Sequence, residues 1–115
     1  MKRKYNTQRK EALRMIKHIV MWKVEGHEVH GSKEEVMRKI KAGLEGLEGQ
    51  IEGMEEIEVG INFNSSETAY DVVLCSTFSS KEALAFYQGH PKHLEVANGL
   101  VRQVTIGRAV VDYEV

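Results

Sequence analysis

The order in which strand and helix patterns follow one another is the feature that most restricts the fold of this chain. Residues 16–24 alternate between two faces and are rich in β-branched and aromatic side chains, which predicts a strand. Ser32 and Glu35 then form a Ser-x-x-Glu capping box. Apolar residues recur at helical spacing over 36–47, so the first strand is followed by a helix.

The second half of the chain repeats this arrangement. Residues 57–63 alternate strictly between apolar and polar, which predicts a strand with one buried and one polar face. Residues 69–78 are apolar on both faces near the middle of the segment, which predicts a central strand. Ser79 and Glu82 repeat the capping box and predict the start of a second helix. The two strand patterns are therefore followed by a helix, as the first strand is.

The last part of the chain completes the pattern. Pro91 suits the first position of another short helix, which Asn98-Gly99 is expected to end. A final strand is predicted over residues 104–115. The order β-α-β-β-α-β predicts an α+β fold of the ferredoxin-like kind, in which the helices lie on one face of a four-stranded antiparallel sheet.

The second face of such a sheet has no helices to cover it. Ile19, Met21, Val73 and Cys75 are expected to point to that face, and all four are apolar. An apolar sheet face open to water predicts a partner. We expect that partner to be a second copy of the chain, packed sheet to sheet in a symmetric homodimer.

Charge and composition exclude several classes of protein. Residues 1–14 hold six of the 16 Lys and Arg, and we interpret them as a dispensable basic extension or the result of an upstream start codon. The remaining 15–115 form one acidic domain, which argues against a nucleic-acid partner. No apolar run has the length of a membrane span or a secretory signal, so no membrane partner is expected. The single cysteine fits a reducing cytoplasm.

A tyrosine and two histidines near the second helix are the first candidates for chemistry. Tyr87 ends one predicted helix and His93 begins the next, and the break at Pro91 can direct both towards one point. Such a pair can bind a carbonyl group and shuttle a proton. The alternative is structural: His90 caps the helix, and His93 satisfies a hydrogen bond in the core.

The remaining candidates lie on strands. His18, Trp22, Leu74 and Ser76 share the face of the sheet that the helices cover, where they line a pocket or belong to the core. Arg108 on the last strand is either an anchor for an anion or the partner of a carboxylate.

For Arg108 we favour an ion pair, with Asp71 or Asp112 as its partner. His27 and His30 lie in a polar loop that lacks the rigid geometry of a metal site, so we interpret them as solvent-exposed. The sequence has no phosphate-binding glycine loop and no zinc-hydrolase motif. No metal and no cofactor is therefore predicted.

Four segments together resemble one protein family. Residues 15–23, 76–84 and 112–114, and the sequence Tyr-x-x-His-Pro-x-His over 87–93, are similar to the stress-responsive α/β-barrel (Dabb) domain family, and the resemblance covers 15–115. It implies a ferredoxin-like subunit whose sheets pair into a dimeric α+β barrel.

The family's enzymes include the plant olivetolic acid cyclase, which closes a linear polyketide by an aldol condensation. By resemblance, His93 would remove a proton next to a carbonyl, Tyr87 would hydrogen-bond the substrate oxygen, and His18 would match a histidine of the first strand.

We therefore weigh three functions. The favoured one is a small dimeric Dabb protein of unassigned activity, stress-related or binding a small hydrophobic ligand. The others are a cyclase-like enzyme and a monooxygenase-like enzyme that oxidises an aromatic compound.

Overall fold

A four-stranded antiparallel sheet carries the helices on one of its faces in the computed structural model, which describes residues 14–115. The strands lie side by side in the order β2-β3-β1-β4. Their bounds are Ile16–Val24 (β1), Met54–Ile61 (β2), Val72–Phe78 (β3) and Thr105–Glu114 (β4). The helices are Lys33–Glu45 (α1), Lys81–Gly89 (α2), Pro91–Val96 (α3) and Arg102–Val104 (α4), with a π-helix at Ala97–Val101 between the last two. The predicted β-α-β-β-α-β order and ferredoxin-like fold are confirmed.

The buried residues of β1 alternate as the sequence predicted. Ile16, His18, Val20, Trp22 and Val24 are buried on the helix-covered face, whereas the residues between them are partly or fully exposed. The strand is central, because it pairs with β3 on one side and with β4 on the other. It therefore carries the middle of the site described below.

The capping box at the start of α1 is present. The Ser32 hydroxyl accepts a hydrogen bond from the backbone N–H of Glu35 at 3.2 Å, and the Glu35 carboxylate accepts one from the N–H of Ser32 at 2.8 Å. Val36, Ile40 and Leu44 are the buried residues of the helix, and they form its contact with the sheet.

The predicted position of the second capping residue is wrong by one. The side chain that caps α2 is Ser80, whose hydroxyl accepts from the N–H of Ala83 at 3.0 Å. Ser79 remains tied to the preceding turn, because its N–H donates to the carbonyl of Gly53 at 2.9 Å. The helix therefore begins one residue later than predicted, at Lys81.

Strand β2 also differs from its prediction, since it begins at Met54 rather than at residue 57. The Met54 side chain is buried and its backbone lies opposite Phe78, with an irregularity in the register before Glu56. The strand ends at Ile61, because Asn62 starts a turn in which its side chain accepts from the N–H of Asn64.

Asn98-Gly99 does not end the helical segment. The chain continues through the π-helix into α4, and Ala97, Val101 and Val104 are buried along this path. Packing of these side chains on the sheet thus overrides the local preference of Asn and Gly for a helix end.

The face of the sheet opposite the helices, which we call the outer face, carries an apolar patch beside Glu56 and Glu58 of β2. By register the patch combines the residues expected there with three from β4, and it comprises Ile19, Met21, Val73, Cys75, Ala109, Val111 and Tyr113. Lys17 and Lys23 flank this patch along β1. Among the described residues, no helix is long and apolar enough to cross a membrane. Of the expected basic extension, only Arg14 is described, and it forms an ion pair with Glu114 at 3.1 Å.

Candidate functional site

A cavity of about 220 Å³ lies between the helix-covered face of the sheet and the helices that follow β3. Half of its lining residues are apolar, and the others supply a phenol, two imidazoles, an amide and two guanidinium groups. The lining residues are His18, Val20, Trp22, Leu44, Leu74, Tyr87, Gln88, His93, Ala97, Val101, Arg102 and Arg108. Six of the eight residues singled out in the sequence are therefore brought to one place.

Tyr87 and His93 face each other across the break between α2 and α3. Their ring centroids are 4.3 Å apart and the ring planes are inclined by 39°. The break is made by His90, whose extended backbone ends α2 and precedes Pro91 at the first position of α3. A continuous helix would have placed residues six positions apart on different sides.

The Tyr87 hydroxyl is buried and has no hydrogen-bond partner among the described residues. The residue as a whole is 1% exposed. Burial raises the pKa of Tyr87 to about 12. The phenol therefore stays protonated at any physiological pH and is available as a hydrogen-bond donor.

His93 is oriented by the backbone of the preceding helix. Its Nδ1 lies 3.3 Å from the carbonyl oxygen of Gln88. Because a carbonyl oxygen can only accept, the proton of neutral His93 is on Nδ1, and Nε2 keeps a free lone pair. Burial lowers the pKa of His93; the bond to Gln88 opposes this shift, and the positive charge of Arg102 adds to it. Nε2 is thus a base at neutral pH.

His18 is a buried histidine with a carboxylate partner. Its Nδ1 lies 2.5 Å from Oδ1 of Asp112, which is directly opposite on β4. Its ring meets the Tyr87 ring edge-on at a centroid distance of 6.2 Å. His18 is therefore both a hydrogen-bonded core residue and part of the cavity wall.

The prediction of an ion pair for Arg108 is wrong, because other groups bind both candidate carboxylates. Asp71 pairs with Lys33 at 3.2 Å and accepts from the backbone N–H of Val24, and Asp112 is bound to His18. Within residues 14–115, Arg108 has no ion pair. Its side chain lines the cavity instead.

Two predicted pocket residues do not reach the cavity. The Ser76 hydroxyl is buried in the sheet and donates to the carbonyl oxygen of His18 at 3.0 Å. His90 caps α3, since its Nδ1 accepts from the N–H of Lys92 at 3.0 Å. His90 thus has the structural role that was considered for it as the alternative.

Sequence reasoning missed two polar residues of the site. Gln88, whose carbonyl orients His93, lies inside the Tyr-x-x-His-Pro-x-His segment, so that segment was the available signal. Arg102 lies beyond the helix end expected at Asn98-Gly99 and was set aside with it.

The loop histidines make local contacts. His27 Nδ1 accepts from the N–H of Val29 at 3.0 Å, and His30 Nε2 lies 2.9 Å from the side-chain oxygen of Gln103. In the part of the chain that the structure describes, no group of three or more His, Cys, Asp or Glu side chains is arranged to hold a metal ion.

The fold and the site together define a ferredoxin-like α+β domain with a small cavity between sheet and helices and a Tyr–His pair in its wall. A family model described as the stress-responsive A/B barrel domain matches residues 16–115, and the chain belongs to this Dabb family. Among curated protein sequences, none matches the chain significantly.

Solved structures extend the comparison. A dimeric protein of unknown function with a ferredoxin-like fold from Bacteroides fragilis is 33% identical, with a TM-score of 0.76 over 88% of this chain and 96% of that one. A dimeric ferredoxin-like protein of unknown function from Jannaschia sp. is 31% identical, with a TM-score of 0.69 over 88% and 99%. A hydroxynitrile lyase from Passiflora edulis is 19% identical, with a TM-score of 0.73 over 90% and 94%, and this last likeness concerns the fold alone.

Proposed function

We propose that this chain binds a small, mainly apolar carbonyl compound in the cavity, and that the Tyr87 hydroxyl donates a hydrogen bond to the carbonyl oxygen. The observation that carries the proposal is the buried hydroxyl of Tyr87, a residue of the cavity wall, which has no hydrogen-bond partner among the described residues. An unsatisfied buried hydroxyl costs about 1–3 kcal/mol, which a ligand oxygen would recover.

The size of the cavity limits the ligand. An engineered cavity of about 150 Å³ in another protein holds benzene. The present cavity, at about 220 Å³, is larger by roughly the space of a short substituent. We therefore expect ligands with a single ring, or an aliphatic chain of similar volume, next to the carbonyl group.

The orientation of His93 favours a second, catalytic function. With the Nδ1 proton held by the Gln88 carbonyl, Nε2 is the basic nitrogen. In the proposed step, Nε2 takes a proton from the carbon next to the carbonyl. The electron pair of that C–H bond forms a C=C bond, and the π pair of the carbonyl group moves onto its oxygen. The Tyr87 hydroxyl would stabilise the resulting enolate. Attack of the enolate carbon on a second carbonyl would give the cyclase-like reaction; none of these observations bears on the monooxygenase-like alternative.

The outer face supports a homodimer as the binding unit. Its apolar residues are partly exposed in the single chain, which favours a partner on that face. The Bacteroides fragilis and Jannaschia proteins are described as dimeric. We propose a second copy of the chain on the outer face, in a reducing cytoplasm that suits the single residue Cys75. A link to stress rests on the family's description alone.

Replacing Tyr87 by phenylalanine tests the ligand-binding proposal. The probe is 3-benzoylpropionamide, a neutral aryl ketone, and binding is measured by isothermal titration calorimetry. We expect Tyr87→Phe to weaken binding roughly tenfold, the value of one hydrogen bond. Because the hydroxyl has no partner in the free protein, the variant should be at least as stable to urea as the wild type.

The matched control is Tyr70→Phe, which removes a hydroxyl from a tyrosine that does not line the cavity. This variant should bind the probe like the wild type. Unchanged affinity in Tyr87→Phe would overturn the proposal, and so would a large loss of stability, since it would show that the hydroxyl already has a partner.

A further inference from the structure

The charge of the cavity is opposite to that of the domain around it. Residues 15–115 contain more acidic than basic side chains. Among the described residues that line the cavity, Arg102 and Arg108 are cationic and none is Asp or Glu. A positive site in an acidic domain attracts an anion selectively, because the surrounding negative charge repels anions elsewhere.

Arg108 is available to such an anion. It lies on β4 opposite Trp22, at the edge of the cavity, and it has no ion pair within the described chain. The two carboxylates that were expected to pair with Arg108 are bound elsewhere: Asp71 pairs with Lys33, and Asp112 with His18. A guanidinium group presents two parallel N–H donors that match the two oxygens of a carboxylate.

Arg102 supplies a second positive charge, and it forms no ion pair with a carboxylate within residues 14–115. Its Nη1 donates to the side-chain oxygen of Asn98, which is an uncharged partner. The positive charge also acts on the site itself, since it contributes to the lowered pKa of His93. Two guanidinium groups therefore face the same cavity as the Tyr87–His93 pair.

We propose that the ligand of this cavity is a small apolar oxo acid, whose carboxylate is bound by Arg108 with the help of Arg102 while its ketone oxygen accepts from Tyr87. The inference rests on the proposed function and specifies its substrate class.

Two probes that differ in charge and hardly at all in shape test this inference. They are 3-benzoylpropionate and 3-benzoylpropionamide, each titrated into the full chain by calorimetry. We expect the wild type to bind the acid at least tenfold more tightly than the amide. Arg108→Gln should abolish this preference, because the acid then loses the guanidinium group that binds its carboxylate. Arg38→Gln, on the exposed side of α1, is the matched control and should keep the preference.

A salt titration of the wild type gives the same test without a variant. Affinity for the acid should fall as NaCl is raised, whereas affinity for the amide should stay constant. Equal binding of acid and amide by the wild type would overturn the inference and leave the proposed function standing. A preference that survives Arg108→Gln would overturn the role of Arg108. Binding of neither probe would overturn both proposals.

Discussion

At the scale of single residues, the environment of His93 predicts how proton transfer depends on pH. Burial lowers the pKa of His93, so its neutral, basic form persists to a lower pH than that of an ordinary histidine with a pKa of about 6.5. Exchange of the α-protons of 3-benzoylpropionamide for deuterium, followed by NMR, should therefore rise with pH, with its midpoint below about 6.5. It should then stay level through the alkaline range, because the pKa of Tyr87 is about 12.

The substitution His93→Asn provides the control for this profile. It removes the base and should abolish exchange, while calorimetry still detects binding of the amide through Tyr87. His27→Asn, in a loop outside the cavity, should leave the exchange rate unchanged. A midpoint above 6.5 in the wild type, or exchange that persists in His93→Asn, would contradict a base role for His93.

The same residues show what the sequence could and could not predict about the site. The contact between Tyr87 and His93 follows from the helix break at Pro91, which is local and visible in the sequence. The lack of an ion pair at Arg108 within the described chain does not follow from the local sequence. It depends on which cation reaches Asp71 and on which residue of β1 lies opposite Asp112. Competition for a carboxylate is decided by the assembled fold.

At the scale of elements, the two capping boxes also separate contacts that the local sequence determines from contacts that the assembled fold determines. Ser32 and Glu35 were predicted correctly because nothing outside the helix competes for their backbone groups. Ser79 has the same spacing to an acidic residue, yet the carbonyl of Gly53, 26 positions earlier in the chain, takes its N–H. A local motif is reliable where its hydrogen bonds are also local.

The junction between β2 and α2 yields a prediction about stability. Gly53 has φ +89°, and a Cβ atom there would lie 2.6 Å from the Cβ of Ala83. Gly49 has φ +76° with no atom within 4 Å of such a Cβ. Gly49→Ala should cost about 1–2 kcal/mol for the left-handed backbone alone. Gly53→Ala should cost roughly 1–3 kcal/mol more, because α2 must shift.

Urea unfolding of the two variants beside the wild type measures these costs. The pair is matched because both substitutions add one methyl group to a left-handed glycine, so that only the contact with Ala83 differs. Equal losses of unfolding free energy would contradict the close packing of this junction.

At the scale of the whole molecule, the two helical connections cover the sheet unevenly. The side chains of β1, β2 and β3 on the helix-covered face are mostly buried, whereas Ile106 and Val110 of β4 on that same face remain exposed. Arg108 lies between them at the edge of the cavity. The cavity thus arises where the helices end short of β4, a feature that follows from the packing of whole elements and not from any local pattern.

Val111 and Val110 allow the proposed dimer to be tested with adjacent residues of one strand. Val111 is 58% exposed on the outer face, and Val110 is 43% exposed on the opposite side. In a symmetric interface each substitution occurs twice, so Val111→Glu would bury two carboxylates in apolar surroundings. Light scattering of the full chain should give twice the mass of one chain for the wild type and for Val110→Glu, but a single-chain mass for Val111→Glu. A monomeric wild type, or a Val111→Glu variant that stays dimeric, would contradict pairing through the outer face.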